Sequence, residues 1–465
     1  MIKQVIKYSS NNSYFAGFLQ NIINKSGIIG SVNQYENKIV LQLDDSDEKA
    51  LERFSELSTR ELPHSMFIED IKTEVIEGEV IPSDFKSKAY DIALCPKCLE
   101  DITNPASKHY LDDTLVCTHY CNEPFVSSDN TTFSPHYSMG ASILVCDASK
   151  VDEMFILTAE EKKLLFSIEK PTIKVTIKSD EIKEFTGRNF IDIKAPYNTR
   201  STLVAINAKD ADMPYMFFQS SDDLNVIKVQ ENFSIIKASR VAKELNDINS
   251  NPTINRFENL AYEANYGECV GANLSTKGIG FLIKTTQGTK ETVKFKEFDL
   301  QDTLSLMKED EIRAKLLHNF QNQFASIYDK LADGNYDLFE TLSIILDVKE
   351  IGFNGLSEKA LEFRGNGGLK IDINYDGESV DYSALLGSVI SFRLAGADDF
   401  YIAYSVFEAI ADTAIATLNQ LKNKFDIKDS IMLGDMFANS VLYSRILSKY
   451  QLANPYFSKD IAFDD

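Results

Sequence analysis

Four cysteines inside one 27-residue window constrain this chain more than any other feature: Cys95-Pro-Lys-Cys98 and Cys117-Thr-His-Tyr-Cys121. Each short knuckle presents two thiolates from one turn, and a tetrahedral ion needs two such turns. The 18 residues between them fit a four-cysteine zinc site, with Cys95, Cys98, Cys117 and Cys121 as ligands. Four protein ligands leave no open position, so the zinc would be structural, holding a loop-rich segment that has no core of its own. The second knuckle carries three intervening residues, and His119 stands among them as a replacement ligand. The alternative is a set of unrelated buried or surface thiols. Cys146 and Cys269 read as single core thiols, and His136 as an ordinary histidine.

Only six cysteines in 465 residues argue against a disulfide scaffold and for a reducing cytoplasm. The chain is too long for one core, which implies three or four domains. Its 70 acidic and 48 basic side chains give a net charge of -22, which repels phosphate backbones and anionic lipid. General nucleic-acid or membrane-surface binding is thereby disfavoured. No apolar h-region follows Met1 to Lys7 and no 18-residue apolar run occurs, so neither export nor a membrane span is expected.

Periodicity divides the chain. From Tyr14 to Val80 it predicts helix, strand, strand, helix, strand, a small α+β sandwich of the split βαβ type. Thr158 opens a helix with acids in its first turn, and a strand follows over 172–177. The polar stretch 244–255, with Pro252 inside it, marks a boundary. Three strands are predicted next, at 270–272, 280–284 and 291–298, then helices over 308–331, 338–346, 403–424 and 437–450. The strand 430–433 runs into Gly434, an order shared by nucleotide-binding turns and by ordinary βα turns. The Gly365-Asn366-Gly367-Gly368 loop reads as a flexible turn, and lone His318 and the pairs Asp398-Asp399 and Asp464-Asp465 as solvated groups. No nucleophile lies beside a base.

The window from Cys95 through Pro105, His109-Tyr110 and Cys117-Thr118 resembles the first zinc finger of HypF, a carbamoyltransferase of nickel-iron hydrogenase maturation. Further likenesses follow the same domain order: Gly30-Ser31-Val32 and Leu62-Pro63, then Thr158 to Leu165 and Glu169-Lys-Pro171, then Leu338-Phe339-Glu340, Phe353-Asn354-Gly355, Leu361-Glu362 and Leu433 to Asn439. The resemblance implies an α+β multidomain chain. Residues 1–88 would form an acylphosphatase-like sandwich and 89–150 a four-cysteine zinc finger. Residues 151–245 would form a truncated YrdC-like α/β segment and 256–465 a TsaD-like α/β domain of the sugar-kinase (ASKHA) type. Full family members are longer.

Departures from the family pattern bear on activity. The loop before the first helix, read as Tyr14 to Phe18, has no arginine to cradle a phosphate. Gln34 stands where an asparagine would position water, with Asn33 one place away. A second zinc finger is missing. Glu408 replaces a helical histidine and Ser458 an aspartate, so the family's metal ligands for nucleotide phosphates are gone. Two remnants for a nucleotide such as ATP are Gly434, which allows close backbone approach, and Asn439, which could bond a ribose or base; Asp435 beside them repels phosphate. The sequence therefore favours an accessory protein of hydrogenase maturation, binding other maturation proteins or a hydrogenase subunit with degenerate catalytic sites. An active transferase using carbamoyl phosphate and ATP, and an unrelated zinc-containing interaction protein, are the alternatives.

Overall fold

The computed structural model describes residues 1–81, 83, 85, 87, 92–120, 130–220, 224–230, 232–238, 243–375, 380–450 and 455–463. The N-terminal unit runs β1 (Ile2–Tyr8), α1 (Tyr14–Ser26), β2 (Gly30–Tyr35), β3 (Lys38–Leu43), α2 (Glu48–Glu61) and β4 (Ile68–Val75). Its antiparallel sheet has the order β2-β3-β1-β4. The apolar stripe of α1, Phe15, Phe18, Leu19, Ile22 and Ile23, is buried, and Asp47 caps α2 by accepting from the Ala50 N–H. β1 is a central strand that periodicity did not predict. Only Ile6 and Tyr8 in it are fully buried, so the lysine-rich sequence lacks the alternation that marks a half-buried strand.

After α3 (Pro96–Thr103), a six-stranded mixed sheet follows. Its strands are β5 (Thr132–Ser134), β6 (Ser142–Val145), β7 (Phe155–Ile156), β8 (Ile173–Ile177), β9 (Phe190–Lys194) and β10 (Tyr215–Gln219), in the order β5-β10-β6-β9-β8-β7. Helices α4 (Val151–Met154), α5 (Ala159–Leu165), α6 (Asp180–Thr186) and α7 (Thr199–Asp210) connect them. Thr158 forms a reciprocal capping box with Glu161 at the start of α5. A hairpin, β11 (Asn225–Val229) and β12 (Asn232–Lys237), closes this part. One continuous apolar cluster extends from Ile6 through Cys95 to Ile235, so three stretches that look separable in sequence share a core.

The C-terminal part begins with α8 (Pro252–Glu263), inside the polar stretch read as a boundary. Pro252 suits the first helical position, because the N–H it lacks would have no partner there. The sheet has the order β15-β14-β13-β18-β19, from β13 (Cys269–Ser275), β14 (Gly278–Thr285), β15 (Gly288–Lys294), β18 (Ser430–Leu433) and β19 (Pro455–Tyr456). Between β15 and β18 stand α9 (Leu300–Glu309), α10 (Glu311–Gln323), α11 (Ala325–Asp333), α12 (Leu338–Ile345), α13 (Phe353–Leu361), the short pair β16 (Asn374–Tyr375) and β17 (Val380–Asp381), α14 (Tyr382–Leu394) and α15 (Asp399–Phe425). α16 (Ser440–Lys449) follows β18.

The helix expected over 308–331 is thus three helices. Asp310 ends α9 and caps α10, accepting from the Ile312 and Arg313 N–H groups, a bond that competes with continuing the helix. Most of the C-terminal helices and strands share a second large apolar cluster. Among the described residues no helix is long and apolar enough to cross a membrane.

Candidate metal centre and the nucleotide positions

Cys95 caps α3, with its sulfur accepting from the Cys98 N–H at 3.4 Å and Pro96 opening the helix. This turn sets the first two sulfurs side by side. Cys117 and His119 come back beside them, and the ligand atoms of Cys95, Cys98, Cys117 and His119 all lie within 4.8 Å of one another. His119 Nδ1 is 3.0 Å from the Cys95 sulfur, 3.5 Å from Cys98 and 3.9 Å from Cys117. Ideal bonds of about 2.3 Å to sulfur and 2.0 Å to nitrogen give a tetrahedral edge of about 3.5 Å, so the donor set fits zinc. Cys121, the fourth expected ligand, lies outside the described residues; the described donor set is three sulfurs and one imidazole.

The thiols behave as one proton-sharing group. Hydrogen bonds with Cys117 and Cys98 hold Cys95 far below the ordinary thiol range. Cys98, although Cys117 also bonds to it, is pushed up to about 12 by Cys95 and by burial. Cys117 is raised by its bonds to Cys95 and Cys98. Protons hold these sulfurs together where a cation would do the same. The loop packs against α1: a Cβ on Gly17 would stand 2.1 Å from the Tyr120 carbonyl, so only glycine permits this approach. Phe18 lies beside Tyr120, with ring centroids 5.2 Å apart. Cys146 and Cys269 are isolated from this group, each pushed up to about 12 by burial.

At the N-terminal loop, Tyr14 to Phe18 are already helical, and the loop itself is residues 9–13. Gln34 donates from its amide to the carbonyls of Ser10, at 3.2 Å, and Asn12, at 3.0 Å. Its side chain therefore braces that loop, while Asn33 precedes it on the opposite face of β2.

Gly434 and Asn439 part company. Gly434 has φ +108 and a Cβ there would stand 2.3 Å from the Leu274 carbonyl oxygen. It lines a cleft of about 300 Å3 with Arg256, Asn273, Ser275 and Lys277. Asn439 is fully buried, caps α16 through the Leu442 N–H, and donates to Ser357 at 2.8 Å. Asp435 accepts from the N–H and hydroxyl of Thr276, holding the β13–β14 turn. Replacing Asn439 with alanine is expected to cost about 1–2 kcal/mol, the usual cap loss, in urea unfolding of the C-terminal part.

Periodicity gave no sign of two further features. Glu408 on α15 accepts from the Gly368 N–H at 2.6 Å, from Tyr404 at 3.1 Å and from Arg445 at 2.6 Å. The glycine-rich loop is thus tied to α15 instead of swinging free, and Arg445 also grips Asp412 through two bonds. Ser458 donates to Glu263. The second feature is a cavity of about 600 Å3 between β8, β9, the β11–β12 hairpin and α13, lined by Lys174, Arg188, Lys228, Lys237 and Arg364 among others. Lys174 and Arg188 are neutralised by Glu358 on α13, with Arg188 bonding through two nitrogens. These cations are scattered along the sequence, so no motif announces them.

No protein-family model matches the chain, and no curated protein matches it. Solved structures do. The chain is similar to HypF of T. kodakarensis, with a TM-score of 0.60 and 13% identity over 99% of this chain and 96% of that one. It is also similar to a full-length HypF in a phosphate- and nucleotide-bound form, with a TM-score of 0.58 and 13% identity over 99% of this chain and 95% of that one. At that identity the likeness is one of fold, and it bears out the architecture that the cysteine window and the later landmarks imply. Over nearly its whole length, this chain has the fold of HypF.

Proposed function

We propose that this protein is a HypF-like accessory factor of nickel-iron hydrogenase maturation that works by binding, with structural zinc on Cys95, Cys98, Cys117 and His119. Its partners would be other maturation proteins or a hydrogenase subunit. One observation carries this reading: the residues standing in place of the family's metal ligands are committed to internal bonds. Glu408 neutralises Arg445 and holds the Gly368 N–H, and Ser458 gives its hydroxyl proton to Glu263. A carboxylate already neutralised by a guanidinium gains little from a cation, and a serine hydroxyl is a weak substitute for an aspartate.

The second reading, carbamoyl transfer from carbamoyl phosphate and ATP to a partner cysteine, draws support from the 600 Å3 cavity. Lys228, Lys237 and Arg364 line it with no ion-pair partner among the described residues, and such cations suit a phosphorylated ligand. The binding reading predicts that purified, zinc-loaded protein given carbamoyl phosphate and ATP releases no phosphate or pyrophosphate above a heat-treated control. Release that disappears in Lys228→Ala or Arg364→Ala would replace the binding reading with the catalytic one. An unrelated zinc-containing interaction protein is disfavoured by a match that runs along 99% of the chain.

A further inference from the structure

The last described segment, Pro455–Phe463, leaves the C-terminal sheet and ends on the loop between β1 and α1. The Ser458 hydroxyl donates to both Glu263 oxygens at 2.9 Å and accepts the N–H groups of Asp460 and Ile461. That turn delivers the Asp460 carboxylate, 3% exposed, to the N-terminal loop. The Ser10 hydroxyl donates to its Oδ1 at 2.8 Å and the Asn11 N–H to its Oδ2 at 3.2 Å. The segment is held along its length as well. Lys243 N–H bonds the Asp460 carbonyl at 2.8 Å, Phe463 N–H bonds the Ile235 carbonyl at 2.9 Å, and Lys459 pairs with Glu69 at 2.5 Å.

This seam sets two buried acids beside each other. The ionisable groups that face Asp460 are Tyr8 on β1, Glu263 on α8, Tyr456 on β19 and Lys243 before α8. Of these only Lys243 is cationic, so one base faces two carboxyl groups. Both cannot ionise in so dry a site without straining the contact.

We infer that Glu263 and Asp460 form a proton-operated latch: the segment stays docked over the Ser9–Ser13 loop while one of the two carboxyls is protonated, and loosens as both ionise. Burial pushes Asp460 up to about 7, and the Glu263 charge adds to the rise. Burial likewise raises Glu263. The sign follows from linkage. A free aspartate titrates near about 3.9, so between about pH 4 and 7 the docked state binds the extra proton. Docking is therefore strongest at the acid end of that window, weakens as pH rises through it, and levels above about 7. Opening would uncover the Ser10 hydroxyl and the Asn11 N–H.

Hydrogen–deuterium exchange on the full chain at pH 5, 6, 7 and 8, corrected for intrinsic exchange, tests this on peptides covering 455–463 and 9–13. The opening constant is expected to rise by up to about tenfold per pH unit from 5 to 7 and then flatten. Asp460→Asn turns an NH2 toward the Asn11 N–H and loosens the segment at every pH, but it should remove the slope. Glu263→Gln should shift the rise to lower pH. A flat wild-type profile, or the same slope in both Asp460→Asn and Glu263→Gln, overturns the latch.

Discussion

Replacing Cys98 with serine is expected to empty the metal centre and unfold the segment around it. A structural zinc site in a segment without its own core contributes about 10–16 kcal/mol of binding free energy, and that energy is what folds the segment. Here the knuckle helix α3 buries only Cys98 and Ile102, too little to hold together alone. Wild-type protein should carry about one zinc per chain; the variant should carry almost none and be cut by protease within residues 92–120. Because Gly17 and Phe18 of α1 abut Tyr120, the damage should spread to the N-terminal unit and lower its melting temperature. Changing His119 separates the ligand sets. His119→Ala should lose zinc, whereas His119→Cys should keep it through a fourth sulfur. Full zinc occupancy in His119→Ala would mean that the imidazole is not a ligand.

Glu169 should be the most damaging single site outside the metal centre. Its carboxylate is completely buried and reaches across from the strap before β8 into the N-terminal unit. There it accepts from Tyr14 at 2.8 Å, Ser65 at 2.5 Å and the Met66 N–H at 3.0 Å. The neighbouring Ile168 N–H bonds the His64 carbonyl at 2.8 Å. Glu169→Ala strands three buried donors and should cost about 3–5 kcal/mol. Glu169→Gln keeps the shape and the bonds to Tyr14 and Ser65 but sets an NH2 against the Met66 N–H, so about 1–3 kcal/mol is expected. Urea unfolding followed by the N-terminal unit's own probes would show both, and a shift below 1 kcal/mol in Glu169→Ala would mean that the carboxylate does not join the two units.

The same contacts explain why binding can outlast chemistry. Glu408, Ser458 and Asn439 stand where ligands to metal or nucleotide would be sought, and each now stabilises the fold. A buried polar group without its original ligand is costly, and the least expensive remedy is a partner from the chain itself. The architecture stays intact while the site closes.

Local chemistry was legible in the sequence. The paired knuckles announced a metal centre because thiolate geometry needs only a short turn, and Thr158, Asp47 and Pro252 marked helix starts because a cap acts within one turn. Apolar spacing located α1 and the β13 to β15 meander for the same reason. What tertiary structure decided lay in contacts between residues far apart in the chain. β1 became a central strand through its partners β3 and β4, although only two of its side chains are fully buried. His119 came within reach of the first knuckle, Glu408 met Arg445, and the carboxylates of Glu169 and Asp460 entered the N-terminal unit. Periodicity reports only which side of an element is apolar, whereas the partner of a buried charge is set by how whole elements pack, and that no local window of sequence contains.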